Sequence, residues 1–310
     1  MRAPFQLLDA QAALAFVISQ ATHIERGVNA IVYPDIQYPE LVPVDTSANP
    51  WAKTVTYFSS DKYGKAGWIN GNADDIPRAG TELSKFETSV YTAGIGYGFG
   101  LEDISQAQML GYNLDAEEAS AARRAYEEMV DRVAIYGDAE KNFYGLINCP
   151  AVTAGSATFG NWLTATSDKI LADVNNALTG QAQGTLYIVV ADTLLIPQAH
   201  WNLIATRMVT ELSTQTILAW LQQNNAYTAK TGRPLTIRAV RGLEKAGAGG
   251  TARMVAYRRD PSVVKMHMPM PHRFLPVYQA GPLRFEVPGI FRLGGVDVRQ
   301  PTQMRYIDGI

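Results

Sequence analysis

Cysteine is nearly absent. Cys149 is the only one in 310 residues, which excludes an intrachain disulfide and any cysteine-built metal site. A lone thiol beside Pro150 reads as a small packed residue rather than a reactive one, and assembly in a reducing cytosol is the natural reading. Neither sign of charge is in excess: 27 Lys and Arg against 29 Asp and Glu give a formal net of -2. That balance gives no support to a nucleic-acid-binding protein or a polybasic membrane anchor. No run approaches the ~20 apolar residues that span a bilayer. The opening "MRAPFQLLDAQAALAFVISQ" has the early Arg and apolar stretch of a signal peptide. Asp9 and Gln11 interrupt it and no small-residue cleavage site follows, so it reads as an amphipathic arm, helical over residues 6–26. The four histidines, His23, His200, His267 and His272, fit no H-E-x-x-H spacing, and there is no G-x-S-x-G elbow.

What is present is a folding composition, 47% hydrophobic and 18% charged. "IVYPDIQYPELVPVDTSANPW" carries prolines at 34, 39, 43 and 50, too many for a regular helix. It is also too apolar for a free linker, so it is expected to lie extended against a surface. "AKTVTYFSS" and "KAGWIN" read as strands around a turn "SDKYGK", with "NGNADDIPRAG" a polar tip and "TELSKFETSVYTAGIGYGFG" a long return strand. Residues 51–85 carry too few apolar positions for a core, and such a hairpin needs a partner to lie on. "NLDAEEASAARRAYEEMVDRVAIYG" is a capped helix that ends at Gly137, with a stripe of Ala122, Tyr126, Met129, Val130 and Val133. Further on, "TSDKILADVNNAL", "PQAHWNLIAT" and "QTILAWLQQNN" read as helices and "TLYIVVADTLLIP" as a strand. "PLTIRAVRGL", "RMVAYRRD" and "VVKMHMPM" read as strands of one mixed sheet, "EKAGAGGT" as a flexible loop between two of them, and the tail as strand-rich.

The run "YTAGIGYGFG" tests for phosphate binding. A dinucleotide fingerprint needs glycines at relative positions one, three and six, and here the sixth place is Phe99 or Leu101. The period is two, so Tyr91, Ala93, Ile95, Tyr97 and Phe99 share one face and Gly94, Gly96, Gly98 and Gly100 the other. A bare face lets a helix or strand approach closely. The acidic pairs Glu102–Asp103 and Glu117–Glu118 raise the question of chemistry, but the latter opens a helix, where the macrodipole favours acids. Asp74 and Asp75 sit at a loop tip, without further oxygen ligands for a divalent ion. Lys62 and Lys65 read as solvated charges or inter-subunit ion pairs. No catalytic, metal or cofactor site is expected, and the residues alone lead to a subunit of an assembly.

The ordered set of three stretches resembles the tailed-bacteriophage major capsid proteins of the Hong Kong 97 type. The first is "KAGWINGNADDIPRAGTELSKFETSVYTAGIGYGFGLEDISQAQ". The second is the long helix ending "VAIYGDAEKNFYGLINCP". The third comprises "ADTLLIPQAHWNLIAT", "GAGGTARMVAYRRDPSVVKMHMPMPHRFLP" and "GPLRFEVPGIFRLGGVDVRQP". The resemblance implies an α+β fold with an N-terminal arm (1–50), an E-loop hairpin (51–85), a peripheral domain (86–164 and 276–310) with spine helix 114–136, and an axial domain (165–275). It implies a homo-oligomer of pentamers and hexamers, forming an icosahedral shell around packaged double-stranded DNA. Arm and E-loop would drape over neighbours through Tyr33, Tyr38, Trp51, Lys62, Tyr63, Lys65, Trp68, Asp74, Asp75 and Arg78. It further implies a virion protein assembled in the host cytoplasm, with a portal, a separate scaffold and decoration proteins as partners, and no membrane. Some members cross-link an E-loop lysine to an asparagine. "GGVDVRQPTQMRY" offers no asparagine there, so noncovalent stabilisation is expected. The alternatives are an encapsulin-like nanocompartment shell, which resembles the same fold, and a cytosolic α+β enzyme.

Overall fold

The computed structural model describes residues 34–69, 76–110, 114–210 and 212–310. The helix expected over 6–26, together with Tyr33, Asp74 and Asp75, lies outside the described residues. From Ile36 onward the chain forms one compact unit.

The chain enters this unit through one helical turn, α1 (Tyr38–Leu41), with Pro39 in its first turn, where a missing N–H costs nothing. The Asp131 carboxylate accepts from the free backbone N–H groups of Gln37 and Tyr38, each at 2.8 Å. The Tyr257 hydroxyl donates to the Leu41 carbonyl at 2.7 Å. After β1 (Val44–Asp45) come β2 (Thr54–Tyr63) and β3 (Gly80–Ser89), then β4 (Tyr91–Gly94), β5 (Tyr97–Gly100), α2 (Leu101–Leu110) and α3 (Leu114–Tyr136). The middle of the chain runs β6 (Gly137–Asp138), β7 (Phe143–Tyr144), β8 (Ala154–Ser156), α4 (Ser167–Gly184), β9 (Thr193–Ile196), α5 (Gln198–Thr206), α6 (Ile217–Gln223), α7 (Ala226–Thr231), β10 (Thr236–Ala239) and β11 (Arg253–Tyr257). The last strands are β12 (Val264–His267), β13 (Met270–Phe274), β14 (Tyr278–Gly281), β15 (Arg284–Val287), β16 (Gly289–Leu293), β17 (Val296–Val298) and β18 (Met304–Asp308).

A mixed five-stranded sheet, in the order β10-β9-β11-β18-β8, stands at the centre. Successive side chains of a strand point to opposite faces, and in three of these strands both faces are apolar. Leu194, Ile196, Met254, Ala256 and Ile307 enter one core, with Trp162 and the inward sides of α4 and α6. Leu195, Val255, Tyr257, Met304 and Tyr306 enter the other, with α1, α3 and Phe291. The sheet is therefore the wall between two cores, and its strands read as continuous apolar runs for that reason.

Helix α3 has the expected bounds and stripe: Ala122, Tyr126, Val130 and Val133 are buried. At ~1.5 Å per residue its 23 residues span about 34 Å. Gly137 ends it at φ 76°, where a Cβ would lie 2.2 Å from the Phe143 carbonyl oxygen.

Four expectations from the sequence need correction. "SDKYGK" is not a turn and "KAGWIN" not its second strand: β2 runs through Ser60, Asp61, Lys62 and Tyr63, because its ladder is with β3 and continues to Tyr63 opposite Gly80, while residues 64–69 lie in no strand. The long return strand is broken into β3, β4 and β5, which pair with β2, β16 and β15 respectively. "TLYIVVADTLLIP" is a strand only from Thr193. Before it, Leu186 and Tyr187 adopt positive φ (52° and 60°), and the Lys230 amine donates to the carbonyls of Tyr187 and Ile188. Finally, β12 leaves the central sheet and pairs with β1 and β17 instead.

The glycines are closely approached, although along two short strands rather than one. A Cβ on Gly94 would lie 2.8 Å from the Gly289 carbonyl oxygen, one on Gly96 2.3 Å from that of Val287, and one on Gly98 2.8 Å from that of Phe285. These atoms belong to the backbone of β15 and β16, the ladder partners of β5 and β4, and Gly94, Gly96 and Gly98 themselves are exposed, so the close approach is made within the sheets and not by α3.

Candidate assembly surface

Among the described residues, the hairpin β2–β3 is a ten-residue ladder with no third strand. Pairing fixes its two faces. Phe58, Lys62, Lys85 and Leu83 share one, and Phe58 and Leu83 are about two-thirds exposed. On the other, Tyr57 stacks on Phe86 with ring centroids 5.1 Å apart, and Asp61 stands directly opposite Glu82. Like charges placed opposite one another weaken a ladder. Tyr63 closes that face by lying across Gly80, where a Cβ would meet its hydroxyl at 2.5 Å.

The hairpin's base, by contrast, is firmly built. Arg292, buried in the body, donates to the carbonyls of Pro50 (2.9 Å) and Val90 (3.3 Å), the two points where the chain leaves and returns. The Arg292 and Arg273 guanidiniums each lie 6.0 Å from the Trp51 ring, and that of Arg299 lies 4.1 Å from the Tyr57 ring. Such contacts contribute roughly 0.5–1 kcal/mol at exposed sites. The result is a rigid root with an uncovered blade.

Trp51, Lys62, Tyr63, Lys65, Trp68 and Arg78 are all exposed, from the root of the hairpin outward, and Trp68 is fully so. Tyr38 is different: it is 7% exposed, and its hydroxyl donates to Glu127 at 2.9 Å. Burial and that carboxylate push its pKa well above the usual phenol range. As a contact for a neighbour Tyr38 is therefore corrected to a core residue of its own chain. Sequence reasoning missed Phe58, Leu83 and Phe86, although the period-two pattern of "TVTYFSS" and "TELSKFETS" carried the signal. It also missed Arg292 and Arg299, for which no local signal exists.

The polar groups set aside as structural are packed accordingly. Burial raises the Cys149 thiol, whose backbone N–H donates to the Tyr306 hydroxyl at 3.1 Å. His272 stacks on Tyr126 at 5.1 Å, with its Nε2 3.0 Å from the Ile95 carbonyl oxygen. Burial lowers the pKa of His200, which meets Trp162 edge-on. Among the described residues no group of three or more His, Cys, Asp or Glu is placed to hold a metal ion, and no helix is long and apolar enough to cross a membrane.

Comparison with solved structures finds a similar fold in capsid chains of phages and of a GTA particle. The capsid of Myoviridae phage XM1 superposes with a TM-score of 0.80 at 17% identity, covering 99% of this chain and 100% of that one. A capsid chain of an empty GTA particle gives 0.61 at 10% identity over 97% and 99%. A chain of Mycobacterium phage Bobi gives 0.62 at 13% over 96% and 98%. A search of curated proteins returned no match. The family model described as major capsid protein matches residues 64–310. These residues take in strand β3, the whole central sheet and all of both cores except the part that α1 and Val42 supply, and on that match the chain belongs to the major capsid protein family, whose members are structural proteins rather than enzymes.

Proposed function

We propose that this chain builds the icosahedral head shell of a tailed phage, through pentamers and hexamers that enclose packaged double-stranded DNA. The hairpin carries the reading. It holds Phe58, Leu83 and Trp68 in water on a rigid root, and none of the described residues covers them. A two-stranded ribbon is marginal alone, and a neighbouring copy in a shell covers it.

In this reading the fold is of the Hong Kong 97 type. Residues 1–50 are the arm and 51–85 the E-loop. Residues 86–164 and 276–310, with α3 as spine, form the peripheral domain, and residues 165–275 the axial domain around the symmetry axes. The two cores support such a division with its borders adjusted. Strand β12 pairs with β1 and β17, and β13 pairs with β16, itself the partner of β4, so both go with the peripheral part. Strand β18 pairs with β11 and β8 and is shared through the central sheet. The remaining contact set is Trp51, Lys62, Tyr63, Lys65, Trp68 and Arg78, with Phe58 and Leu83 added; Tyr33, Asp74 and Asp75 stay in it on the resemblance. Assembly in the host cytoplasm, a portal, a separate scaffold and decoration proteins complete the proposal.

Electron microscopy and light scattering, on the chain expressed alone and with its neighbouring scaffold gene, test it. Uniform closed shells, or rings that convert to shells, are expected, with DNA inside native particles. Enzyme cargo inside would mean a nanocompartment, and a stable monomer under both conditions would overturn assembly altogether.

A further inference from the structure

Where β1, β12 and β17 form a small sheet, five charged or titratable side chains meet in one line. Asp45, on β1, forms an ion pair with Lys265. His267, fully buried, stands between two carboxylates: its Nδ1 is 3.8 Å from Asp45 Oδ2, and its Nε2 is 3.3 Å from Asp297 Oδ2. Asp297 accepts from Arg299 Nε at 3.0 Å, and the Arg299 guanidinium covers the Tyr57 ring on strand β2. The line therefore runs from the edge strand β1, which follows α1, to the root of the exposed hairpin.

We propose that this charge cluster couples the docking of β1 to the setting of the hairpin. With β1 in place, Asp45 and Asp297 balance Lys265 and Arg299, and His267 completes the set. Without Asp45, Lys265 and Arg299 share the single carboxylate of Asp297. An unpaired charge at a site this enclosed is costly, so Lys265 and His267 draw Asp297 toward themselves. Arg299 loses the acceptor that orients it over Tyr57, and the hairpin loosens. Strand β1 is only two residues long and its tie to β12 is correspondingly weak, which leaves this short link between α1 and β2 able to act as the releasable element. This inference does not depend on the shell reading, because it concerns an isolated chain.

Hydrogen exchange on the full-length, unassembled chain tests it. Asp45→Asn is expected to speed exchange of amides at the hairpin's root by about fivefold or more, the lower end of ordinary coupling between sites. Adding Lys265→Met to Asp45→Asn removes the competing cation, and protection is expected to return toward the native value. Simple loss of β1 packing predicts no such rescue. Coupling is reciprocal, so Tyr57→Ala, a change at an only partly buried side chain, is expected to speed exchange at Met266 and Met268. Their N–H groups donate to the carbonyls of Pro43 and Asp45, each at 2.9 Å. Unchanged hairpin exchange in Asp45→Asn, no rescue in the double variant, or unchanged exchange at Met266 and Met268 in Tyr57→Ala would each overturn the coupling.

Discussion

At the scale of single residues, the most consequential polar contact joins the central sheet to the loop after α3. Arg253 donates to both Asp308 carboxylate oxygens, at 2.7 and 2.9 Å, and to the Ile147 carbonyl at 2.7 Å, and its guanidinium lies 4.5 Å from the Tyr306 ring. Both members are almost fully buried, so removing one strands the other. Arg253→Ala is expected to cost about 3–5 kcal/mol, read as a lower urea midpoint with an unchanged slope. A cost below about 1 kcal/mol would show that solvent reaches the pair. The same carboxylates govern behaviour in acid. At Asp308, Asp297 and Asp45 burial pushes the pKa upward, but hydrogen bonds from Arg253, from His267 and Arg299, and from Lys265 and Ser47 outweigh it, and each ends below its usual 3.8. A depressed folded pKa gives stability that is fully present above the unfolded value and lost as pH falls through the folded one. Unfolding midpoints are thus expected to hold steady down to about pH 5 and fall steeply below about pH 4. A midpoint that stays flat to about pH 3 would contradict this account of the three sites.

At the scale of elements, the glycine strand offers a graded test. A side chain on Gly96 would have to displace the backbone of Val287 and Pro288, with nearest atoms at 2.3 and 2.8 Å. One on Gly100 meets chiefly the end of the Asp103 side chain at 3.3 Å, which need shift only slightly while still accepting from the Gly100 N–H. Gly96→Ala is therefore expected to cost about 1–3 kcal/mol and Gly100→Ala less than about 0.5 kcal/mol, compared by thermal unfolding. Equal costs would mean the strands slide apart freely. The same segment shows what a sequence can and cannot carry. Its period of two was legible, and so was α3, whose stripe, acidic first turn and stop at Gly137 are local. The break of the strand at Ile95 and Gly96 was not, because it is imposed by β15 and β16, nearly two hundred positions away. "SDKY" has the composition of a turn, yet the ladder to β3 holds it straight. "LYIVV" has the composition of a strand, yet Leu186 and Tyr187 turn left-handed at the end of α4. The exposed half of the candidate surface could be read from what was too polar to be core. Its root could not, since Arg292 and Arg299 reach it only through tertiary contacts.

At the scale of the whole molecule, the hairpin separates stability from assembly. Among the described residues, none between Val42 and Ala93 belongs to either hydrophobic core, so the body holds together without the blade. Thr54 and Ser89 are direct partners across the ladder, and an Asn-Gly turn is the natural two-residue closure for such a pair. Replacing residues 55–88 by Asn-Gly should therefore leave a folded chain. Near-UV circular dichroism is expected to keep its native form, and Tm to fall by no more than a few degrees, because only the Tyr57 and Trp51 contacts with arginine are disturbed. Closed shells, however, are expected to vanish from electron micrographs, since the surfaces of Phe58, Leu83 and Trp68 that a neighbour would cover are gone. The two readouts answer different questions. Shells that still form would remove the hairpin from the assembly argument while leaving family and fold untouched. A chain that fails to fold would mean that the two cores do not stand alone. A folded, soluble chain that no longer closes a shell is the outcome that follows from a rigid root carrying an uncovered blade.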